Sequence, residues 1–326
     1  IFFTPNLRSA MAGFGYIWMF YTLLVLAEIW LVFRRDIVAY ANSSKGLKRM
    51  LYSALALGVL ETPESALHLD EKLIKILAFV GIPSAVFLHG YVGFIFGAIK
   101  ANPWWSSPLM PVIFILSAIV SGIALLTVLY VISAKIRREP LDHDCVGALA
   151  GWLLGFLAIA VALEALELVG MMYEAEESWE VIRQLLTQRL NISLFVIQVG
   201  FGAFLPGMML AASGSMNLKR EVRTLVGFLS SCAILIGVFA MRWNVVIGGQ
   251  MFSKSFRGLN TYEPPLLGNE GILVAMAFLA LPVIIFVVLV NILPPWKSPT
   301  GQQDKTVAAG SRSAGRWGGF SNETRV

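Results

Sequence analysis

Charge is scarce in this 326-residue chain: 14% of its residues are Asp, Glu, Lys or Arg, where soluble domains carry about 25%. Apolar residues make up 57% and mean hydropathy is +0.73. That excludes an ordinary soluble enzyme and points to a polytopic membrane protein. Cysteine is limited to Cys145 and Cys232, too few for a disulfide framework or a four-ligand metal site, and too isolated for an Fe–S cluster within the chain. Histidine is limited to His68, His89 and His143. A bis-histidine haem needs two imidazoles at membrane depth, and only His89 falls in an apolar run. No haem or Fe–S cluster is therefore expected in this chain. There is no Walker or dinucleotide motif, no repeat of 20–50 residues, and no interrupted helix pair of the kind that marks transporters. The net charge of +5 comes from loops and a basic tail, which argues against a nucleic-acid partner. The chain opens on Ile1 without a signal-peptide pattern and is read as lacking sequence upstream.

What is present is a series of long apolar runs, at 11–33, 76–99, 108–134, 146–172, 190–213, 224–243 and 271–293. Each is long enough to cross about 30 Å of hydrocarbon at 1.5 Å per residue. Residues 50–60 are apolar but cover only half a span before Glu61, Pro63 and Glu64, and a run this short is more often interfacial. The distribution of Lys and Arg arbitrates. With seven spans, eighteen basic residues fall on one side and seven on the other, among them Arg8, Lys254 and Arg257; with eight spans the split is eleven against fourteen. The asymmetry selects an all-α, polytopic membrane helical bundle of about seven transmembrane helices, with the C-terminus in the cytoplasm. The loop at Asn102–Trp105, the acidic stretch 174–180 and the long loop 242–270 then face outward. Residues 299–326 are polar and Gly/Ser-rich, which predicts a disordered cytoplasmic tail.

Ionisable groups inside spans are costly and mark function. His89 lies in Leu88-His89-Gly90-Tyr91-Val92-Gly93. The two glycines leave room for a ligand or for a neighbouring helix. His89 is either hydrogen-bonded to an adjacent helix or a proton partner for a ligand carbonyl. Glu164 and Glu167, three residues apart, share a helix face. They suit a proton relay, or they pair with a basic group such as Arg242. Glu28 is expected to snorkel to the interface. Arg242 is expected to end its helix and open Arg242-Trp243-Asn244-Val245-Val246-Ile247-Gly248-Gly249-Gln250, whose glycine pair predicts a turn. Trp243 reads equally as an interfacial anchor.

The stretch Asn102-Pro103-Trp104-Trp105-Ser106-Ser107-Pro108-Leu109-Met110-Pro111, followed by Phe114, Ser117-Ala118 and Ser121-Gly122, resembles the NrfD/PsrC family of polysulfide-reductase-like membrane subunits. Residues 7–15, with Ala10 and Phe14 where the family has Pro and Trp, and the region from Gly81-Ile82-Pro83 to Gly93 are similar to it too. Residues 242–250, continuing Phe252-Ser253-Lys254-Ser255, look most like the DsrP-type branch, from the Dsr membrane complex of sulfur metabolism. The resemblance implies paired four-helix bundles, here residues 1–134 (with 50–60 interfacial) and 135–298. Two helices before residue 1 would complete the first bundle. It also implies an inner-membrane location, a site for menaquinone or another quinone near the outer end of the first bundle, a periplasmic ferredoxin-like Fe–S subunit docked there, and further membrane and cytochrome subunits.

The expected function is that of a quinol/quinone oxidoreductase membrane subunit. It exchanges electrons between the quinone pool and the Fe–S partner. His89 would exchange a proton with a quinone oxygen, Tyr91 would bond or pack on the ring, and Trp104 and Trp105 would wall the site or dock the partner. Glu164, Glu167 and Arg242 would form a proton or charge route. The alternatives are a structural membrane anchor without a quinone site, and a transporter. No metal site is expected.

Overall fold

The computed structural model describes residues 6, 9–174, 179–253, 258–262, 265–268 and 271–293. The expectations attached to Arg8, to residues 175–178 of the acidic stretch, to Lys254 and Arg257, and to the tail 299–326 lie outside the described residues. Helices follow one another along the sequence: α1 (Ala10–Ser43), α2 (Leu47–Leu55), α3 (Glu64–Gly97), α4 (Met110–Arg137), α5 (His143–Glu174) and α6 (Trp179–Gln184). Two π-helical segments come next, Leu185–Arg189 and Asn191–Phe204, and the second runs directly into α7 (Leu205–Ser215). Then come α8 (Arg220–Gln250) and α9 (Ile272–Ile292). Among the described residues seven helical stretches are long and apolar enough to cross a membrane: α1, α3, α4, α5, Asn191–Ser215, α8 and α9. They coincide with the seven apolar runs.

Helix ends depart from those runs where the backbone outlasts the apolar sequence. α1 and α3 have 34 residues each, about 51 Å at 1.5 Å per residue, well beyond the hydrocarbon thickness. Arg34 and Arg35, and Lys72 and Lys75, therefore ride on the same helices as the spans rather than in loops. α8 runs through Arg242 to Gln250. This corrects the expectation that Arg242 ends a helix and that Gly248-Gly249 makes a turn, for a reason given below. The 50–60 segment overlaps the nine-residue α2, which has a little under half the length a span needs. Gly46, at φ 63°, starts it. The Leu55 carbonyl accepts from Trp30 Nε1 at 2.8 Å and the Leu60 carbonyl from Asn42 Nδ2 at 3.0 Å, which folds the segment back on α1.

Internal contacts group the protein into two units, 1–21 with 83–263, and 22–82 with 264–326. In the second, Arg34 on α1 bonds Asp70 on α3 at 2.8 Å, and the guanidinium carbon stands 5.5 Å from the Trp30 ring centre. Ile37, Val38 and Ala56 form a small core beside them. Tyr52 stacks on Tyr40 and donates to the Ile292 carbonyl of α9 at 2.8 Å.

In the first unit, Val120 and Ala124 of α4, Leu153 and Leu157 of α5, Leu210 of α7 and Ile234 of α8 are buried together. Lipid is as apolar as these side chains, so helix association there relies on close fit and interhelical hydrogen bonds. The closest fit joins Gly202 of the second π segment to Gly237 of α8. A Cβ on either would run into the other's backbone.

Candidate functional site

That glycine contact brings the second π segment and α8 close enough for polar side chains to meet. Four residues before Gly202 stands Gln198; seven after Gly237 stands Asn244. Asn244 Nδ2 donates to Gln198 Oε1 at 2.7 Å, and Gln198 Nε2 donates to Glu164 Oε2 of α5 at 2.8 Å. A three-residue polar relay thus links three membrane-spanning elements. Glu167, one turn on from Glu164, lies beside the Ser107 hydroxyl. Its Oε1 is buried without a hydrogen-bond partner, as is Asn244 Oδ1.

Glu164, Glu167, Gln198 and Asn244 are the polar residues on a cavity of about 280 Å³ whose other walls come from Trp104, Met110, Ile113, Leu168, Met171, Leu194 and Met241, among other apolar side chains. Small-molecule pockets run from roughly 300 to 1,000 Å³, so this one suits a ring-sized head group. Its rim includes Val161, Phe195 and Val199, which are 37%, 44% and 43% exposed. A second void of about 30 Å³ touches Glu164 and Gln198 and is also lined by Ser117 and the two packed glycines. It is the size of one water molecule.

Arg242 does not reach this cavity's wall. Its guanidinium donates to Ser117 Oγ at 2.7 Å and to the Phe114 carbonyl at 3.2 Å, and lies 4.0 Å from the Phe114 ring centre. Glu164 is an electrostatic neighbour, but its carboxylate bonds Gln198 rather than Arg242. Arg242 therefore ties α8 to α4 and sets a positive charge behind the polar relay.

The Trp loop closes one end. Asn102 Nδ2 donates to the Gly249 carbonyl at 2.8 Å, Trp104 Nε1 to the Asn244 carbonyl at 3.1 Å, and Trp105 Nε1 to the Val245 carbonyl at 2.7 Å. Trp105 lies against Gly249, where a Cβ would run into the indole, and Trp104 against Gly248, where a Cβ would crowd both the indole and Leu190. The glycine pair therefore serves close approach inside a helix, and the expected turn is absent because the backbone bonds of α8 continue beneath the indoles. Trp104 lines the cavity; Trp105 packs edge-on to Phe96 at 5.1 Å. Trp243 meets Tyr262 edge-on at 6.4 Å.

The structure brings Trp104, Glu164 and Glu167 to one cavity, with Arg242 and Trp105 adjoining. It does not bring His89 or Tyr91 there. His89 Nδ1 is 2.9 Å from the Ala85 carbonyl of its own helix, and Tyr91 donates to the Ala10 carbonyl at 3.1 Å. Gly90 and Gly93 admit a neighbour rather than a ligand: Ile115 faces the first, and the backbone of Met110 and Pro111 the second. Sequence reasoning missed Gln198 and Asn244. A signal was available for Gln198, a lone amide in the apolar run Ile197-Gln198-Val199. Asn244 was hidden by the expectation that the helix ends before it.

Comparison with known proteins agrees with this architecture. Residues 1–254 match the model of the family described as polysulphide reductase, NrfD. The C subunit of selenate reductase from Mesobacillus selenatarsenatis is 28% identical over 293 residues, covering 85% of this chain and 66% of that protein. The putative C membrane subunit of a dimethyl sulfoxide reductase from Halobacterium salinarum is 30% identical over 238 residues, 72% of this chain and 50% of its own length. The C polypeptide of polysulfide reductase from Wolinella succinogenes is 29% identical over 184 residues, 55% of this chain and 54% of its own length. The sequence thus spans half to two thirds of the length of these curated relatives. With a family match over most of its length and seven helices able to span a bilayer, it is a multi-pass membrane protein of the NrfD polysulphide reductase family.

Proposed function

We propose that this protein is the membrane subunit of an oxidoreductase complex, exchanging electrons between a quinone pool and an Fe–S partner subunit. The quinone head group would sit in the cavity between α4, α5, the second π segment and α8. One observation carries the reading: an apolar, ring-sized cavity holds four polar side chains, two with a buried, unpartnered oxygen, and has an exposed apolar rim. A buried polar atom without a partner is costly, and the hydroxyl of a ring would relieve that cost at either oxygen. A rim of exposed Val and Phe in the bilayer suits a prenyl tail. The names of the relatives, all subunits of reductases, support the same reading.

The quinol supplies two electrons and two protons when it is oxidised. Glu167 Oε1 would accept a hydrogen bond from one ring hydroxyl and then its proton, and the Glu164 carboxylate on the same helix face would take the second. Trp104, held by the Asn244 carbonyl, would wall the ring. The electrons would leave to the partner's cluster, since no redox centre is expected in this protein. The count of basic residues supports an inner-membrane topology with the Trp loop outside, where a periplasmic ferredoxin-like subunit would dock beside the membrane and cytochrome subunits of the complex, and with the C-terminus in the cytoplasm. Residues 1–134 and 135–298 would correspond to the family's paired bundles. Asn244 and Val245, within the 242–250 stretch that resembles the DsrP-type branch, line the cavity, and that resemblance favours a place in sulfur metabolism.

The test is fluorescence quenching of a quinol analogue by the purified complex, comparing wild type with Glu167→Gln, with Ala165→Trp at a residue that lines the cavity, and with His89→Ala. The expected result is weakened binding in the first, abolished binding in the second, where the cavity is filled, and near wild-type binding in His89→Ala. Loss of binding only in His89→Ala would move the site to the α3 region. An intact complex that binds no analogue would leave a structural membrane anchor as the better account.

A further inference from the structure

We infer that Glu164, acting through Gln198, sets which hydrogen-bonding atom Asn244 turns to the ligand, so that the ionised carboxylate favours a ligand that donates and the protonated acid one that accepts. The inference rests on the quinone-site reading above and concerns how that site chooses between the two redox forms of its ligand.

The two ends of a primary amide differ little in shape, so its hydrogen-bond partners decide which end faces where. An ionised carboxylate only accepts. Glu164 Oε2 therefore draws Gln198 Nε2, at 2.8 Å, and turns Gln198 Oε1 toward α8. That oxygen draws Asn244 Nδ2, at 2.7 Å. Asn244 Oδ1 is the atom left over, buried and unpartnered on a residue that lines the cavity and is 1% exposed. Each bond fixes the polarity of the next, and the last atom is an acceptor. A quinol, with its hydroxyl groups, matches that acceptor; a quinone carbonyl does not.

A proton on Glu164 opens the reversed relay: the acid keeps an acceptor oxygen but gains an O–H donor, which Gln198 meets only with Oε1. Its Nε2 then faces Asn244, which accepts with Oδ1 and leaves Nδ2 over. The reversal exchanges O for NH2 at two positions of nearly equal volume, so it needs two side-chain rotations and no backbone movement. The charged groups facing Glu164 are Glu167 on its own helix and Arg242 from α8. From the π segment and α4 it meets Gln198 and Ser117, which do not titrate. Protonation of one carboxylate thus becomes a choice between reduced and oxidised ring.

The test uses two redox-inert probes on the purified complex containing the full-length protein: 1-naphthol, which donates, and 1-methoxynaphthalene, which only accepts. Binding of each is measured by tryptophan quenching from pH 5 to 9. In wild type the ratio of the two dissociation constants should shift about three- to tenfold across the range, toward naphthol as pH rises, as expected for gaining or losing one hydrogen bond. In Gln198→Met and in Glu164→Gln both probes should bind more weakly, and the ratio of their dissociation constants should be flat across the range. A flat ratio in wild type, or a pH-dependent one that persists in either intact variant, overturns the relay while leaving the site in place. If neither probe binds wild type, or if both still bind Ala165→Trp, the site reading and the relay fall together.

Discussion

Gly202 and Gly237 meet backbone to backbone, closer than any residue with a Cβ could allow. Their contact fixes the distance between the second π segment and α8, and so the 2.7 Å bond from Asn244 to Gln198. Gly237→Leu should force the two elements apart. Overpacking of this kind costs about 1–3 kcal/mol, and thermal unfolding of the purified complex should report it as a lowered midpoint. A midpoint equal to wild type would show that the contact can relax without strain.

The two indoles of the Trp loop should separate in mutagenesis. Trp105→Phe removes the bond to the Val245 carbonyl, which is worth about 1 kcal/mol, but leaves the cavity wall untouched. Trp104→Phe removes both a bond to α8 and a wall residue. Both variants should unfold earlier, and only Trp104→Phe should weaken quinol-analogue binding. Equal loss of binding in the two would mean that the loop acts as one clamp.

Arg242 combines a bond to a hydroxyl, a bond to a carbonyl and a ring contact. A lysine has no planar fork with which to make all three. Arg242→Lys should therefore destabilise the complex by about 1.5–3 kcal/mol, the range for hydrogen bonds to charged groups. Stability within a few tenths of wild type would show that the charge alone matters.

The bundle was legible in the sequence, and the cavity only in part. Seven apolar runs and the imbalance of Lys and Arg give the seven spans and the short α2, because bilayer thickness imposes length and composition directly. Glu164 and Glu167 stood out for the same reason: charge in a span is rare. Gln198 and Asn244 carry no charge and cost less to bury, so they leave a weaker mark. The Gly248-Gly249 pair misled because glycine serves both turns and close approach. Only the indoles of Trp104 and Trp105, more than 140 residues earlier in the sequence, decide between them. His89 reads two ways in the sequence. An imidazole can satisfy itself on the carbonyl one turn back in its own helix, and nothing in local sequence distinguishes that from a ligand contact.

Outside the cavity, Arg34 and Asp70 form an ion pair in which the carboxylate is 5% exposed and its Oδ2 has no partner. Removing one member of a buried pair costs about 3–5 kcal/mol, because the other charge is stranded. Arg34→Ala should destabilise strongly, and the double variant Arg34→Ala with Asp70→Ala should recover much of the loss. A double variant as unstable as the single one would assign the effect to the Trp30 contact instead.

The second π segment carries a constraint of a different order from any single side chain. Over Asn191–Phe204 the backbone takes more residues per turn than an α-helix does. Gln198 and Gly202, four residues apart, fall on one face of it and both meet α8. Removing one residue between them at an unchanged winding would turn Gln198 by about a quarter turn relative to Gly202, carrying the amide away from both Glu164 and Asn244. The segment should thus accept changes of residue type at its exposed positions, Ile192 or Val196, and fail on a change of length. A library of single-residue deletions and substitutions across it, scored for quinol-linked growth, would separate the two. What the protein must preserve there is a count of residues, and a comparison that tracks residue identity alone would pass over it.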